Sequence, residues 1–166
     1  MAIITLPHFG PIDTTSLEEY YDTEIPYNDT QIEIDLNFGD KNIELERFET
    51  VKDFIDNIRI HDMNNRKYID NDYNDNEGGT VKFYLEHHLE ELGENELSTL
   101  IDLNSKKTDH EKQLKHKLHL VRVGIYPKGE NQFATFDYSI GRDITDQLIV
   151  IDTDENGNLV YLTMES

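Results

Sequence analysis

The chain has no cysteine and no tryptophan, and only four prolines and three methionines in 166 residues. The missing cysteines exclude a disulfide scaffold, a thiol nucleophile, a paired-thiol redox site and any thiolate zinc site. Bases are scarce too: 15 Lys plus Arg stand against 35 Asp plus Glu, a formal net charge of -20. Such a surface repels phosphates and argues against a nucleic-acid binder. No apolar run approaches the length of a membrane span, and the acidic helical faces disfavour an anionic membrane surface. The first residues carry neither the basic run nor the apolar core of a signal peptide. The expectation is a cytoplasmic protein with no nucleic-acid and no membrane partner.

What is present argues for a fold. High charge with a mean hydropathy of -0.68 is a combination found in disordered chains. Yet Leu, Ile, Val and Phe number 46 of 166 residues, above the roughly 20% below which such chains stay unfolded. They also recur with periods of two and of 3.6, which disorder gives no reason to keep. The length suits one domain over 1–166.

The N-terminal third reads as strands, covering 3–38. Residues 3–6 and 12–13 flank Pro-His-Phe-Gly-Pro at 7–11, a turn composition. Residues 19–25 carry aromatic and β-branched side chains and are expected to stop at Pro26. At 31–38 the alternation is strict: Ile32, Ile34, Leu36 and Phe38 fall on one side, acids and amides on the other. That pattern predicts a strand with one wet face, typical of antiparallel sheets.

The period then changes. Leu45, Phe48, Val51, Ile55 and Ile58 form one stripe and predict a helix over 43–60, capped by Asp40 or Asn42. A second helix is expected over 63–73 with Met63, Tyr68 and Ile69, followed by an acidic, Asn-rich loop over 70–79. Thr80 is expected to cap a helix over 81–92, with Val81, Leu85, His88, Leu89 and Leu92 on one face and Gly93 ending it. A short helix over 95–103 follows. Thr108 and Glu111 match a capping box that would open a helix over 109–116.

From 117 to 164 strands return: 118–126, then Ala134, Phe136, Tyr138 and Ile140 in alternation, then 147–153 and 158–164 joined by Asp-Glu-Asn-Gly at 154–157, a hairpin signal. Strands over 3–38, helices over 43–116 and strands over 117–164 predict an α+β fold. A largely antiparallel sheet of about seven strands would carry a central helical block on one face.

Several blocks resemble the bacterial family numbered 2004 among the domains of unknown function. They are Leu-Pro-His-Phe-Gly at 6–10, Tyr-Tyr-Asp-Thr-Glu-Ile at 20–25, the strand at 32–38, Phe-Tyr-Leu-Glu-His-His-Leu-Glu-Glu-Leu at 83–92, and Phe-Asp-Tyr-Ser-Ile-Gly-Arg-Asp-Ile-Thr-Asp at 136–146. The resemblance implies a small cytosolic bacterial protein and brings no catalytic residues. Acidic α+β families of this kind stand beside bacterial toxins as immunity proteins, an analogy of neighbourhood.

Motifs for chemistry are sparse. Asp152, Asp154 and Asn156 match the opening of an EF-hand loop, but the twelfth position is Thr163 instead of Glu, and strands flank it where helices are needed. A hairpin turn is the plainer reading, a calcium-responsive accessory protein the other; no cofactor is expected. His110 and Glu111 begin a helical zinc motif, but Leu114 stands where the second His belongs. His88, on an apolar face, reads as a hydrogen-bonded core residue. No serine sits in a nucleophile elbow and no Gly-rich phosphate loop occurs.

The acidic faces are more distinctive. Glu46, Glu49, Asp53 and Asp56 step by three and four along the first helix, and Glu86 and Glu90 repeat the pattern on the 81–92 helix. Like-charge pairs at this spacing cost a few tenths of a kcal/mol each, and a solvated face is the plain explanation. The functional one is a surface that steers a cationic protein. Residues 106–128 run the other way at +5, expected to pack against acidic elements. Arg142, the only base after 128, is expected to pair with Asp137, Asp143 or Asp146, or to touch a partner. The chain thus reads as a non-enzymatic protein-binding module, of the immunity type if the analogy holds. The alternative is a small enzyme or ligand-binding domain with an unmotified pocket.

Overall fold

The computed structural model describes residues 3–39, 43–77, 79–129 and 132–166. A short hairpin, β1 (Ile3–Leu6) with β2 (Gly10–Asp13), stands apart as its own two-stranded sheet. The main sheet has six strands in sequential order: β3 (Tyr20–Tyr27), β4 (Thr30–Asn37), β5 (His119–Ile125), β6 (Ala134–Ser139), β7 (Leu148–Thr153) and β8 (Leu159–Glu165). Every pairing is antiparallel except β4 with β5. That parallel pair needs a crossover, and all five helices of the described residues lie in it: α1 (Leu45–Asp56), α2 (Ile58–Tyr73), α3 (Thr80–Glu91), α4 (Glu94–Ser98) and α5 (Lys107–Lys117). The fold is α+β, with the helices on one face of the sheet.

The core forms where alternation meets the helical stripes. Ile32, Ile34 and Leu36 of β4, Val123 and Ile125 of β5, Phe136 and Tyr138 of β6, and Ile149 and Ile151 of β7 are all buried. Phe48, Val51, Phe54 and Ile55 of α1 and Val81, Tyr84 and Leu85 of α3 are buried with them. Phe54 meets Phe133 at 5.1 Å and Phe136 at 5.9 Å between ring centroids. α3 packs on β7 and β8.

Several expectations need correction. Pro26 does not end its strand but sits inside β3; an edge strand tolerates a residue with no N–H to donate. The first helix breaks at Asn57, whose backbone leaves the helical region and whose Nδ2 donates to the Asp53 carbonyl at 2.8 Å. A new helix starts at once, so Ile58 belongs to α2, and α2 runs to Tyr73, well into the stretch read as a loop. Leu45 and Met63 are exposed, not core. Gly79 caps α3, with Thr80 its first residue, and α4 stops at Ser98. The capping box at 108–111 does not form: α5 starts at Lys107 with no side-chain cap. Asp40 and Asn42, and Gly78 of the acidic loop, lie outside the described residues. The face of the sheet opposite the helices is also not uniformly wet: Asp35 is 2% exposed.

Candidate functional site

α1 presents its acids as the spacing predicts. Glu46, Glu49, Asp53 and Asp56 are all exposed, on the face opposite Phe48, Val51 and Ile55. None of the four carboxylates enters a hydrogen bond or ion pair among the described residues. Of the bases near α1, Lys52 is exposed on the helix itself, while the two arginines are engaged. Arg47 donates to Glu155 at 2.6 Å and to the Pro127 carbonyl at 2.8 Å, and lies over the Phe133 ring. Arg59 donates to Asn28 and covers Tyr27.

A cleft of about 400 Å³ opens beside this stripe, between the α1–α2 junction and the β7–β8 turn. Asp53, Asn57, Asn64, Glu155 and Asn156 surround it, and at its base the His61 ring stacks on Phe54 at 4.1 Å. Burial lowers the His61 pKa, against the pull of Asp154, so the imidazole stays neutral. Its Nδ1 has no partner and is covered by Gly157, where a Cβ would come within 2.5 Å of it. Gly157 also has a φ of +82°, a conformation that glycine adopts freely. Acceptors thus dominate the cleft rim, an arrangement suited to an ammonium or guanidinium group. A larger cleft of about 720 Å³ lies on the other side of the same turn, but its walls mix charge, with Arg47 and Lys128 among Glu44, Asp154 and Glu155.

The turn itself shows what its acids do. Asp154 Oδ1 accepts the backbone N–H groups of Asn156 and Asn158 at 2.9 Å, and Oδ2 accepts the Asn158 amide at 3.0 Å. Partial burial works against the charge, but these donors prevail and hold the carboxyl below its usual range. Asp152 accepts from Thr135 and Gln132. Of the calcium-loop match, Asp154 thus organises the hairpin turn, Asn156 supplies it a backbone N–H, and Asp152 is bonded across to Thr135 and Gln132. Among the described residues no group of three or more His, Asp or Glu is placed to hold a metal.

The other predicted residues do not join the stripe. Glu86 and Glu90 are exposed on α3, and α2 packs against both α1 and α3. Arg142 pairs with Glu33 of β4 at 3.3 Å, not with Asp137, Asp143 or Asp146. The basic island does pack on acids: Lys115 meets Asp70 at 2.8 Å, and Arg122 meets Asp35. His88 is the core residue its position implied. Its Nδ1 lies 2.7 Å from the Tyr84 carbonyl and Nε2 lies 2.8 Å from the Thr145 hydroxyl. The carbonyl can only accept, so Nδ1 carries the proton and Nε2 accepts from Thr145.

No family model, no curated protein and no solved structure matches this chain. No described helix is long and apolar enough to cross a membrane.

Two polar clusters escaped the sequence. On the helix-free face Arg122 grips Asp35 with two bonds, Nε at 2.7 Å and Nη2 at 3.0 Å, and reaches Asp137 at 3.3 Å. Gly124 makes room: a Cβ there would meet Arg122 Nη2 at 2.6 Å. Burial opposes the charge of Arg122, but Asp35 raises its pKa further still, while for Asp137 burial outweighs Arg122 and the carboxyl is pushed up. The second cluster lies under α2, where Asp62 accepts the hydroxyls of Tyr138 at 2.6 Å and Tyr27 at 2.7 Å. Burial first, then Asp62, raises both tyrosines. Arg66 stands 3.4 Å from Asp62 and donates to the Leu118 carbonyl. Buried Asn65 sits by the Tyr138 hydroxyl without a hydrogen bond of regular geometry. Both clusters tie neighbouring elements together.

Proposed function

We propose that this protein is a non-enzymatic binding module whose acidic α1 face engages a cationic protein, as an immunity-type inhibitor does. The carrying observation is that Glu46, Glu49, Asp53 and Asp56 remain exposed and unpaired, while Lys115, Arg122 and Arg142 pair with acids on other elements. The cleft beside Asp53 gives a basic side chain of the partner an acceptor-lined place to enter. The resemblance to the 2004 family is in keeping with a small bacterial protein of this kind. A catalytic reading has less support. Asp137, whose carboxyl is raised by burial, lies on the opposite face of the sheet from the helices that carry the depressed His61 and His88, so these groups do not converge.

The test uses a lysine-rich peptide as the probe. Binding is measured by calorimetry at low and at moderate salt, with the wild type and with a quadruple reversal, Glu46→Lys, Glu49→Lys, Asp53→Lys and Asp56→Lys. A control variant reverses four other exposed acids, Glu18, Glu19, Glu94 and Glu96. The stripe reversal is expected to weaken binding by about tenfold more than the control, roughly 1.4 kcal/mol, and salt is expected to weaken the wild-type interaction. Equal losses in the two variants would show that net charge alone matters and would remove the assignment to α1.

A further inference from the structure

The two edges of the main sheet are built in opposite ways. β3, at one edge, exposes Asp22 and Glu24 and carries Pro26, all devices that discourage another strand from pairing. β8, at the other edge, has no proline, and its one charged residue, Glu165, stands at its very end. No residue of β8 is buried, and Leu159, Val160 and Tyr161 are 43%, 47% and 60% exposed. No described strand lies beyond it. Residues 156–164 contain no charged side chain, in a chain where nearly a third of residues are charged. Alternate backbone N–H and C=O groups of such an edge point outward with nothing to bond.

We propose that β8 is a self-association edge, to which the β8 strand of a second copy of this chain adds in antiparallel fashion, so that two six-stranded sheets become one. Charge leaves this edge as the place where a second copy can approach. Two copies at -20 each repel over most of their surfaces, and the neutral run at 156–164 is a place where their backbones can meet without opposing like charges. The strand is also self-complementary. A two-fold pairing centred on Leu162 sets Val160 against Met164 and Tyr161 against Thr163, and its only acids, the two copies of Glu165, stand at opposite ends facing Leu159. Isologous pairing of this kind closes on itself, so it yields a dimer and not a fibre. Leu162 and Met164, half-covered on the helix side, would pack against Leu162 and Val160 of the second copy.

Sedimentation velocity of the full chain tests this from about 1 µM to about 100 µM, a span covering weak homodimers. The wild type is expected to shift toward twice the monomer mass as concentration rises. Added salt is expected to strengthen the association by screening repulsion between copies, the reverse of its effect on a cationic partner, so the two readings succeed or fail separately. Val160→Lys and Tyr161→Lys should each weaken the dimer at least tenfold while thermal unfolding stays cooperative. Tyr20→Lys, on the guarded β3 edge, should leave it unchanged. A wild type that stays monomeric throughout overturns the proposal, as does a dimer that survives both β8 variants or is lost with Tyr20→Lys.

Discussion

Asp62 illustrates how one acid differs from its many neighbours once it leaves water. A carboxylate between two tyrosine hydroxyls, 6% exposed, is stable only while both donors and Arg66 remain in place. Replacing it with leucine strands two buried hydroxyls. Asp62→Leu is therefore expected to cost about 3 kcal/mol in urea unfolding, and Asp62→Asn, which keeps an acceptor, less than half of that. A loss below about 0.5 kcal/mol for the leucine variant would mean that water or Asn65 replaces the carboxylate without cost. Nothing in the sequence marks this residue. It is one of 35 acids, and its burial follows from tertiary packing of β3 and β6 beneath α2. The exposure of Glu46, Glu49, Asp53 and Asp56 was legible for the opposite reason: the spacing that buries Phe48, Val51 and Ile55 fixes the outer face as well.

At the scale of elements, legibility followed the purity of the pattern. β4 and β6 alternate cleanly and appear where the alternation places them. The α1–α2 break was hidden because Ile58 continues the α1 stripe numerically while starting a new axis. α2 was hard to read because its buried face is Ile58, His61, Asp62, Asn65 and Ile69, helical in spacing but polar at three positions. Pairings such as Arg142 with Glu33, 109 positions apart, lie beyond any local pattern. The β7–β8 hairpin was legible from its turn, and Asp154 organises that turn. Its carboxyl titrates below the ordinary value, so its contribution is present above the unfolded pKa of about 4 and lost as pH falls through the lower folded value. Asp154→Ala is expected to destabilise the protein by about 1 kcal/mol at pH 7, a figure already discounted for exposure. The difference from wild type should shrink below pH ~4. A difference independent of pH would show that the carboxylate is not what holds the turn.

For the whole molecule, the net charge of -20 is not evenly used. The buried acids Asp35 and Asp137 on the sheet are matched to Arg122 and Asp62 under α2 to Arg66, and the exposed surplus includes the four-acid stripe of α1. The single parallel pairing sets a different limit. Asp35 and Arg122, bonded across β4 and β5, are 87 residues apart, whereas β3–β4 and β5 to β8 are joined by short connections. Closing so long a loop costs entropy before any contact repays it, so the two sheet segments are expected to form first and to join late. Arg122→Leu should then speed unfolding and leave the refolding rate almost unchanged in stopped-flow measurements; refolding slowed in proportion to the lost stability would place the junction early instead. Until the junction closes, β4 and β5 are themselves open edges. The nascent chain passes through a state with more unpaired strand than the native protein ever shows, and its yield on refolding is set by how briefly that state lasts.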